Sequence, residues 1–411
     1  MNLVEKVVTA GLCTGCGLCE SLGNPGEITM HMSSLGYLRP VVGRAFSKEV
    51  ETEIAACCPG VEVGHAEGLD GYNVNWGPLR GVTGGHATDP ETRRQGSSGG
   101  VLSALCIYLL ESGEVDFVAQ VAASKSDPIL NELQISRTRA DVLRAAGSRY
   151  APSSPLRSLR DLLATGERFA FVGKPCDVAA LRAYMGRHAE VAMQVPYLLS
   201  FMCAGIPSIH GTHELLMAMG ARLEQLSTFR YRGDGWPGMA RAVQHDGATF
   251  EMDYNRSWGG ILGKHLQFRC KICADGTGEF ADIVCADAWY GKDGYPDFEE
   301  RAGRSLILAR TAVGEALLER VRSAGGIEDE SLAIDEISAM QPYQLDRKRL
   351  AAPRSLATFL AQGRTTKYRR LGLGKATSEA GIVTSLRNAW GTFRRAKGEP
   401  LAACKHSEPD A

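Results

Sequence analysis

Near the N-terminus three cysteines stand at three-residue intervals, Cys13-Thr14-Gly15-Cys16-Gly17-Leu18-Cys19, and a fourth, Cys58, precedes Pro59. Thiolates spaced in this way can turn onto three corners of one small cluster, and a remote Cys-Pro supplies the fourth. That is the ligand pattern of a [4Fe–4S] centre. The interleaved glycines let the backbone wrap closely enough for its N–H groups to point at the sulfurs. A zinc knuckle is the competing reading. Zinc sites usually pair their cysteines as two CxxC units, so the triple spacing fits the iron cluster better. Cys57 competes with Cys58 for the fourth place, and the proline that follows favours Cys58. A single motif of this kind predicts a single cluster in the N-terminal region.

A second set is scattered through the chain: Cys176, Cys203, Cys270 and Cys273, of which only the last two share a CxxC spacing. Cys176 and Cys203 each follow an apolar, strand-like run (Phe169–Val172 and Tyr197–Met202) and each sits in a Gly/Pro turn. They read as inert buried thiols, or, with the two strands adjacent, as two thiols at one rim of a sheet. Cys270 and Cys273 could then close a four-thiolate site. Between the two sets, Gln95-Gly96-Ser97-Ser98-Gly99-Gly100 runs into the helical pattern Val101–Leu110, closed by Gly113. Such a turn offers N–H groups to an anion or a flavin ring, or is simply the start of a helix. Lys174 and Arg149 each read either as a cation for a flavin or substrate anion or as a solvated loop residue. Asp287 faces a flavin, caps a helix or lies on the surface. The histidines, among them His86, His210, His213 and His265, show no metal-ligand spacing. There is no Walker loop or Rossmann fingerprint.

The elements that must position these residues follow from pattern and composition. The chain has 411 residues, 44% hydrophobic and 23% charged, enough for two or three domains. Its formal net charge of −1 argues against a nucleic-acid partner. Twelve cysteines are more than packing requires; with no signal-peptide pattern or bilayer-length apolar run visible, their clustering reads as metal binding in a cytoplasmic protein rather than as disulfides. Residues 1–64 form the first iron–sulfur module, with a β-like Tyr37–Val42 and a helix over Ser47–Ala56. A Gly- and Asn-rich linker runs from Gly64 to about Arg80. Strands and helices then alternate over 80–345, which predicts an α/β body whose ligands sit beyond strand carboxyl ends. Residues 346–411 form a basic helical tail: from Gln344 onward there are 14 Lys and Arg against 5 Asp and Glu. Arg347-Lys348-Arg349 and Arg394-Arg395-Ala396-Lys397 read as solvated helix faces, or as a patch that steers an acidic ferredoxin. Ile382–Phe393 looks amphipathic, and disorder is expected from about Ala402.

The turn Ser97–Gly100, the Gly-x-Pro-Cys of Gly173–Cys176, Phe201–Ser208, and Cys270-x-x-Cys273 followed by Ala281-Asp282-Ile283 together resemble the coenzyme F420 hydrogenase/dehydrogenase beta-subunit family. The similarity runs from about Cys13 to about Leu345. It implies an iron–sulfur flavoprotein oxidoreductase. FAD would lie near Ser97, Ser98, Gly99, Gly100, Ser148, Arg149, Tyr150 and Lys174, and a second [4Fe–4S] cluster would be held by Cys176, Cys203, Cys270 and Cys273. An added N-terminal module is also a feature of relatives such as 7-hydroxymethyl chlorophyll a reductase and ferredoxin-dependent divinyl chlorophyllide reductase. Ferredoxin or coenzyme F420 is the implied electron carrier, with a small-molecule substrate and a possible partner subunit or second copy. Cys285 stands where the family usually has glycine; it either replaces one of the ligands or is a buried thiol.

Overall fold

The computed structural model describes residues 1–69, 71–292 and 295–398; the expected disorder from about Ala402 lies outside the described residues. Its centre is an eight-stranded mixed sheet. In chain order the strands are β1 (Gly81–Ala87), β2 (Phe117–Ala123), β3 (Asn131–Ser136), β4 (Phe169–Gly173), β5 (Tyr197–Phe201), β6 (Ile283–Asp287), β7 (Ser305–Ala309) and β8 (Ile327–Ser331). Their spatial order is β8-β1-β7-β6-β5-β4-β2-β3. Four adjacent strands, β6, β5, β4 and β2, run parallel, and antiparallel pairings complete both sides, with three strands beyond β6 and one beyond β2. Buried on both faces, the parallel strands read as nearly continuous apolar runs. Alternation along β4 sends Phe169 and Phe171 into one core and Ala170 and Val172 into the other.

The second of these cores is covered by helices α1 (Val101–Glu111) and α3 (Ala312–Ser323). The first is covered by α2 (Pro175–Met185) and by the N-terminal residues Cys16, Leu18, Cys57 and Val63. That N-terminal segment holds the hairpin Ile28–Met32/Leu38–Val42 and a helix Lys48–Cys57. The Ser47 side chain accepts from the Val50 N–H and so caps that helix. A three-stranded antiparallel sheet (Leu226–Arg230, Ala240–Gln244, Thr249–Met252) has its own apolar core. The C-terminal region forms α4 (Pro342–Arg349), α5 (Ala351–Gln362) and α6 (Ile382–Gly398).

Two expectations change. The stretch expected as a linker is packed: Trp76 is 2% exposed within the main core, and His65 stacks on Phe280 at 4.3 Å. Arg347 and Lys348, expected on a solvated face, are 4% and 1% exposed. Lys348 is held by an ion pair with buried Glu279, and Arg347 by two backbone carbonyls. Between α5 and α6 the strand Lys367–Arg369 pairs in parallel with Glu62–Gly64, tying the tail to the N-terminal module.

Candidate functional site

Cys13, Cys16, Cys19 and Cys58 all line one small cavity whose other walls include Val4, Leu22 and Ile54. The loop reaches this shape through Gly17, at φ +85°, where an added Cβ would lie 2.9 Å from the Arg157 nitrogen. Gly15 N–H points at the Cys13 sulfur, 3.4 Å away. Burial raises the thiols of Cys16 and Cys19 well above their ordinary range, and neighbouring thiols of the set add to it. Cys58 is pushed up to about 11 by burial and then by Cys13. Cys57 diverges: its sulfur sits 3.8 Å from Glu53 Oε1 and does not line the cavity.

The second set assembles at the carboxyl rim of the sheet. Parallel neighbours β4 and β5 pair Val172 with Leu199 and Gly173 with Ser200, so Cys176 and Cys203 emerge side by side. The short helix Phe268–Lys271 brings in Cys270, and Cys273 follows a turn later. Burial raises the Cys176 thiol, with Cys203 and Cys270 adding to it. Cys203 is pushed up to about 12 by burial, then by Cys270 and Cys273. The Cys270 sulfur accepts from Ile206 N–H at 3.4 Å and from Gln267 Nε2 at 3.3 Å. Among the described residues no three His, Cys, Asp or Glu side chains converge to hold a single metal ion. A cube of iron and sulfide spreads its thiolates further apart than one ion does.

Two buried guanidiniums flank this second set. Arg347 donates to the carbonyls of Cys203 (2.9 Å) and Cys270 (2.8 Å); Arg269 donates to Pro59 O (3.0 Å). Neither pairs with a carboxylate among the described residues, and both feel the charge of Cys270 and Cys273. A buried cation requires an anion. Ionised sulfurs carrying a net negative cluster supply one, so the donor set fits such a group.

The two sets adjoin. Gln267 Nε2 donates to Thr14 O (3.4 Å) as well as to the Cys270 sulfur, while its Oε1 accepts from Arg39 (2.9 Å). Ser154 Oγ donates to Gly15 O (2.7 Å), and Leu156 N–H donates to Cys16 O (3.0 Å). Asp177, next in the chain to Cys176, is close enough to raise the Cys16 thiol.

Beyond the second set opens a cavity of about 430 Å³, with Cys203 in its lining. That is within the range of small-molecule sites. Ser97, Ser98, Gly100, Ser148, Arg149, Tyr150 and Lys174 all line it. Gly99 does not; it packs behind the wall, donates its N–H to Ser305 Oγ, and a Cβ there would lie 2.7 Å from Gly85 O. Ser148 Oγ donates to Ser97 Oγ (2.8 Å), which joins the two loops. Ser98 Oγ is spent on the carbonyls of Ala286 and Arg304. Arg149 is no solvated residue: its guanidinium holds Asn131 Oδ1 and the carbonyls of Phe229, Pro128 and Leu130. Lys174 is likewise buried, bonded to Asp177 (2.6 Å) and Ser153 Oγ (2.9 Å).

On the far wall sequence reasoning reached only Asp287. Arg232 lies between the rings of Tyr254 (4.9 Å) and Trp289 (5.0 Å) and grips Asp287 through two bonds of 2.9 and 2.6 Å. Trp236 Nε1 also donates to Asp287 (2.7 Å), so this carboxylate faces the cavity wall with its oxygens engaged. The glycine- and aromatic-rich run Tyr231–Pro237 was the available signal. Cys285 lies in β6 and lines the cavity with Cys106, apart from both four-cysteine sets.

Comparison with known proteins gives this arrangement its class. Two family models for the beta chain of coenzyme F420 hydrogenase/dehydrogenase match: residues 82–160 correspond to its N-terminal part and 166–334 to its C-terminal part. The "Coenzyme F420 hydrogenase subunit beta" of Methanococcus voltae is 30% identical over 60% of this chain and 82% of its own. One of the subunits of the F(420)H(2) dehydrogenase of Methanosarcina mazei is 22% identical over 78% and 85%. The "Coenzyme F420-dependent sulfite reductase" of Methanocaldococcus jannaschii is 27% identical, and this chain spans 38% of it. A chain of the F420-reducing [NiFe] hydrogenase complex from Methanosarcina barkeri shares the fold, with a TM-score of 0.56 at 18% identity over 72% of this chain and 98% of that one. The class is that of the F420-linked oxidoreductases. Within it, the chain belongs to the coenzyme F420 hydrogenase/dehydrogenase beta-subunit family.

Proposed function

We propose that the chain is an iron–sulfur flavoprotein oxidoreductase that passes electrons between coenzyme F420 or ferredoxin and an organic substrate. One [4Fe–4S] cluster would be held by Cys13, Cys16, Cys19 and Cys58, a second by Cys176, Cys203, Cys270 and Cys273. FAD would occupy the cavity beside Ser97–Gly100 and Gly147–Tyr150. The observation that carries this reading is adjacency: Gln267 bonds both Thr14 O, in the loop between Cys13 and Cys16, and the Cys270 sulfur, and Cys203 belongs both to the second set and to the cavity wall. When bound, the clusters handle electrons singly and the flavin exchanges them singly or in pairs.

The chain's own residues supply the rest. Arg269 and Arg347 balance the charge of the inner thiolates. Ile206 N–H and Gln267 hydrogen-bond a sulfur, which raises the potential of the group it binds. The Ser97–Ser148 bond holds the two cavity loops in register. The relatives' printed names favour F420 as the carrier. Some of these names describe subunits, which supports a second reading in which this chain feeds electrons to a partner enzyme.

Anaerobic reconstitution followed by metal and flavin analysis tests the first reading. It should yield about eight irons and one flavin per chain. Zinc without flavin would overturn it and indicate a non-enzymatic zinc-stabilised protein. Bleaching of the flavin by reduced F420 or by reduced ferredoxin identifies the carrier. Co-elution with a partner enzyme in gel filtration would establish the second reading.

A further inference from the structure

The C-terminal helices expose a surface that the redox site does not use. On α6, Ile382, Leu386 and Trp390 recur at four-residue spacing and are 79%, 65% and 64% exposed. On α5, Leu356, Phe359 and Leu360 share one face and are 60%, 50% and 65% exposed. The two helices lie side by side in the same direction: Arg354 donates to Asn388, and Ala361 and Ala396 meet in one small core. Both turn their small residues inward, since Ala357, Thr358, Thr392 and Ala396 are the buried ones. The large apolar groups are left outside, a reversal of the usual amphipathic arrangement on a protein core.

The charge of this segment is mainly positive. Residues 351–398 contain ten Lys and Arg and a single acidic residue, Glu379, which is paired with Arg349; Arg369 and Arg370 pair with Glu62 and Glu67 of the N-terminal segment. Helical geometry places Arg387 and Arg394 along the flank of the Ile382–Trp390 stripe. Both are exposed and neither pairs with a carboxylate among the described residues. No helix among the described residues is long and apolar enough to cross a membrane. Exposed Trp, Leu and Ile with arginines at their edge are the composition of a helix that lies in a lipid–water interface. Basic side chains in such a helix are attracted to anionic headgroups. An acidic protein partner would satisfy the charge as well, whereas an anionic bilayer meets both the exposed apolar side chains and the arginines at their edge without requiring a matched shape.

We propose that α5 and α6 form a peripheral docking surface for an anionic lipid bilayer, which would hold the redox body at the membrane face. This inference is independent of what the cysteine sets bind.

The test is sedimentation of the full-length protein, as purified with its cofactors, with phosphatidylcholine vesicles made with or without phosphatidylglycerol. The protein should partition to the anionic vesicles, and added salt should weaken but not abolish this. Leu386→Glu with Trp390→Glu should weaken binding by roughly tenfold or more. Arg387→Gln with Arg394→Gln should lose the preference for phosphatidylglycerol. Trp390 emission should shift to the blue on binding, and the shift should vanish in Trp390→Phe. Because all four positions are exposed, unchanged melting and an unchanged visible spectrum identify a folded variant. Three results would overturn the proposal. The first is failure of the wild type to sediment with anionic vesicles. The second is a dimer that the Leu386→Glu/Trp390→Glu pair dissociates, which would make a second copy the occupant. The third is displacement from the vesicles by an acidic electron-carrier protein, with the same substitutions abolishing its binding.

Discussion

Cys57 and Cys58 are adjacent in the chain, yet one sulfur turns toward Glu53 and the other into the cavity with Cys13, Cys16 and Cys19. Replacing Cys58 by Ser should therefore remove about four of about eight irons. Cys57→Ser should keep them all, and iron analysis after anaerobic reconstitution decides between them. At the inner set, Arg347→Gln removes a buried positive charge beside Cys203 and Cys270. A reduced cluster carries one more negative charge, so losing the cation disfavours reduction. The inner cluster of the variant should titrate at a more negative potential by electron paramagnetic resonance, with the outer cluster unmoved. That Cys13, Cys16 and Cys19 converge was readable because their spacing is local. Arg269 and Arg347 were not. Arg347 sits in an Arg-Lys-Arg run that resembles any solvated face, and only the approach of α4 to the sheet rim buries it.

Strand placement turns scattered cysteines into a site. The apolar runs before Cys176 and Cys203 were legible, as was their shared Gly/Pro ending; that β4 and β5 are neighbours is a matter of topology, which periodicity does not carry. The expected linker shows the reverse error. Its Gly- and Asn-rich composition concealed His65, Tyr72 and Trp76, and the first two pack against Glu279. Burial alone would raise the Glu279 carboxyl; Lys348, with His65, outweighs it and holds it at about 2. With the folded value below the ordinary 4.5, this carboxylate stabilises the fold above about pH 4.5 and loses that contribution as pH falls toward 2. Lys348→Met leaves the carboxylate buried without its ammonium and should cost roughly 3–5 kcal/mol at neutral pH. Burial then raises the carboxyl instead, so the sign reverses. The melting-temperature gap between variant and wild type should narrow as pH drops from about 8 toward about 5. A gap that does not change with pH would show that the pair is not coupled in this way.

At the scale of the molecule, the sheet divides two cores with different duties. One is covered by α1 and α3 and contributes Cys106, Val172 and Cys285 to the cavity wall. The other takes in Cys16, Leu18 and Cys57, so the N-terminal module packs as part of the body. Arg39, Gln267 and Arg269 then cross the seam, and the distance between the two thiol sets is set by packed side chains rather than by a tether.

The strand Lys367–Arg369 lies against Glu62–Gly64. A ribosome making this protein exposes Cys13, Cys16, Cys19 and Cys58 long before it reaches this strand. Whatever assembles on those sulfurs can do so before the pairing with Glu62–Gly64 has formed.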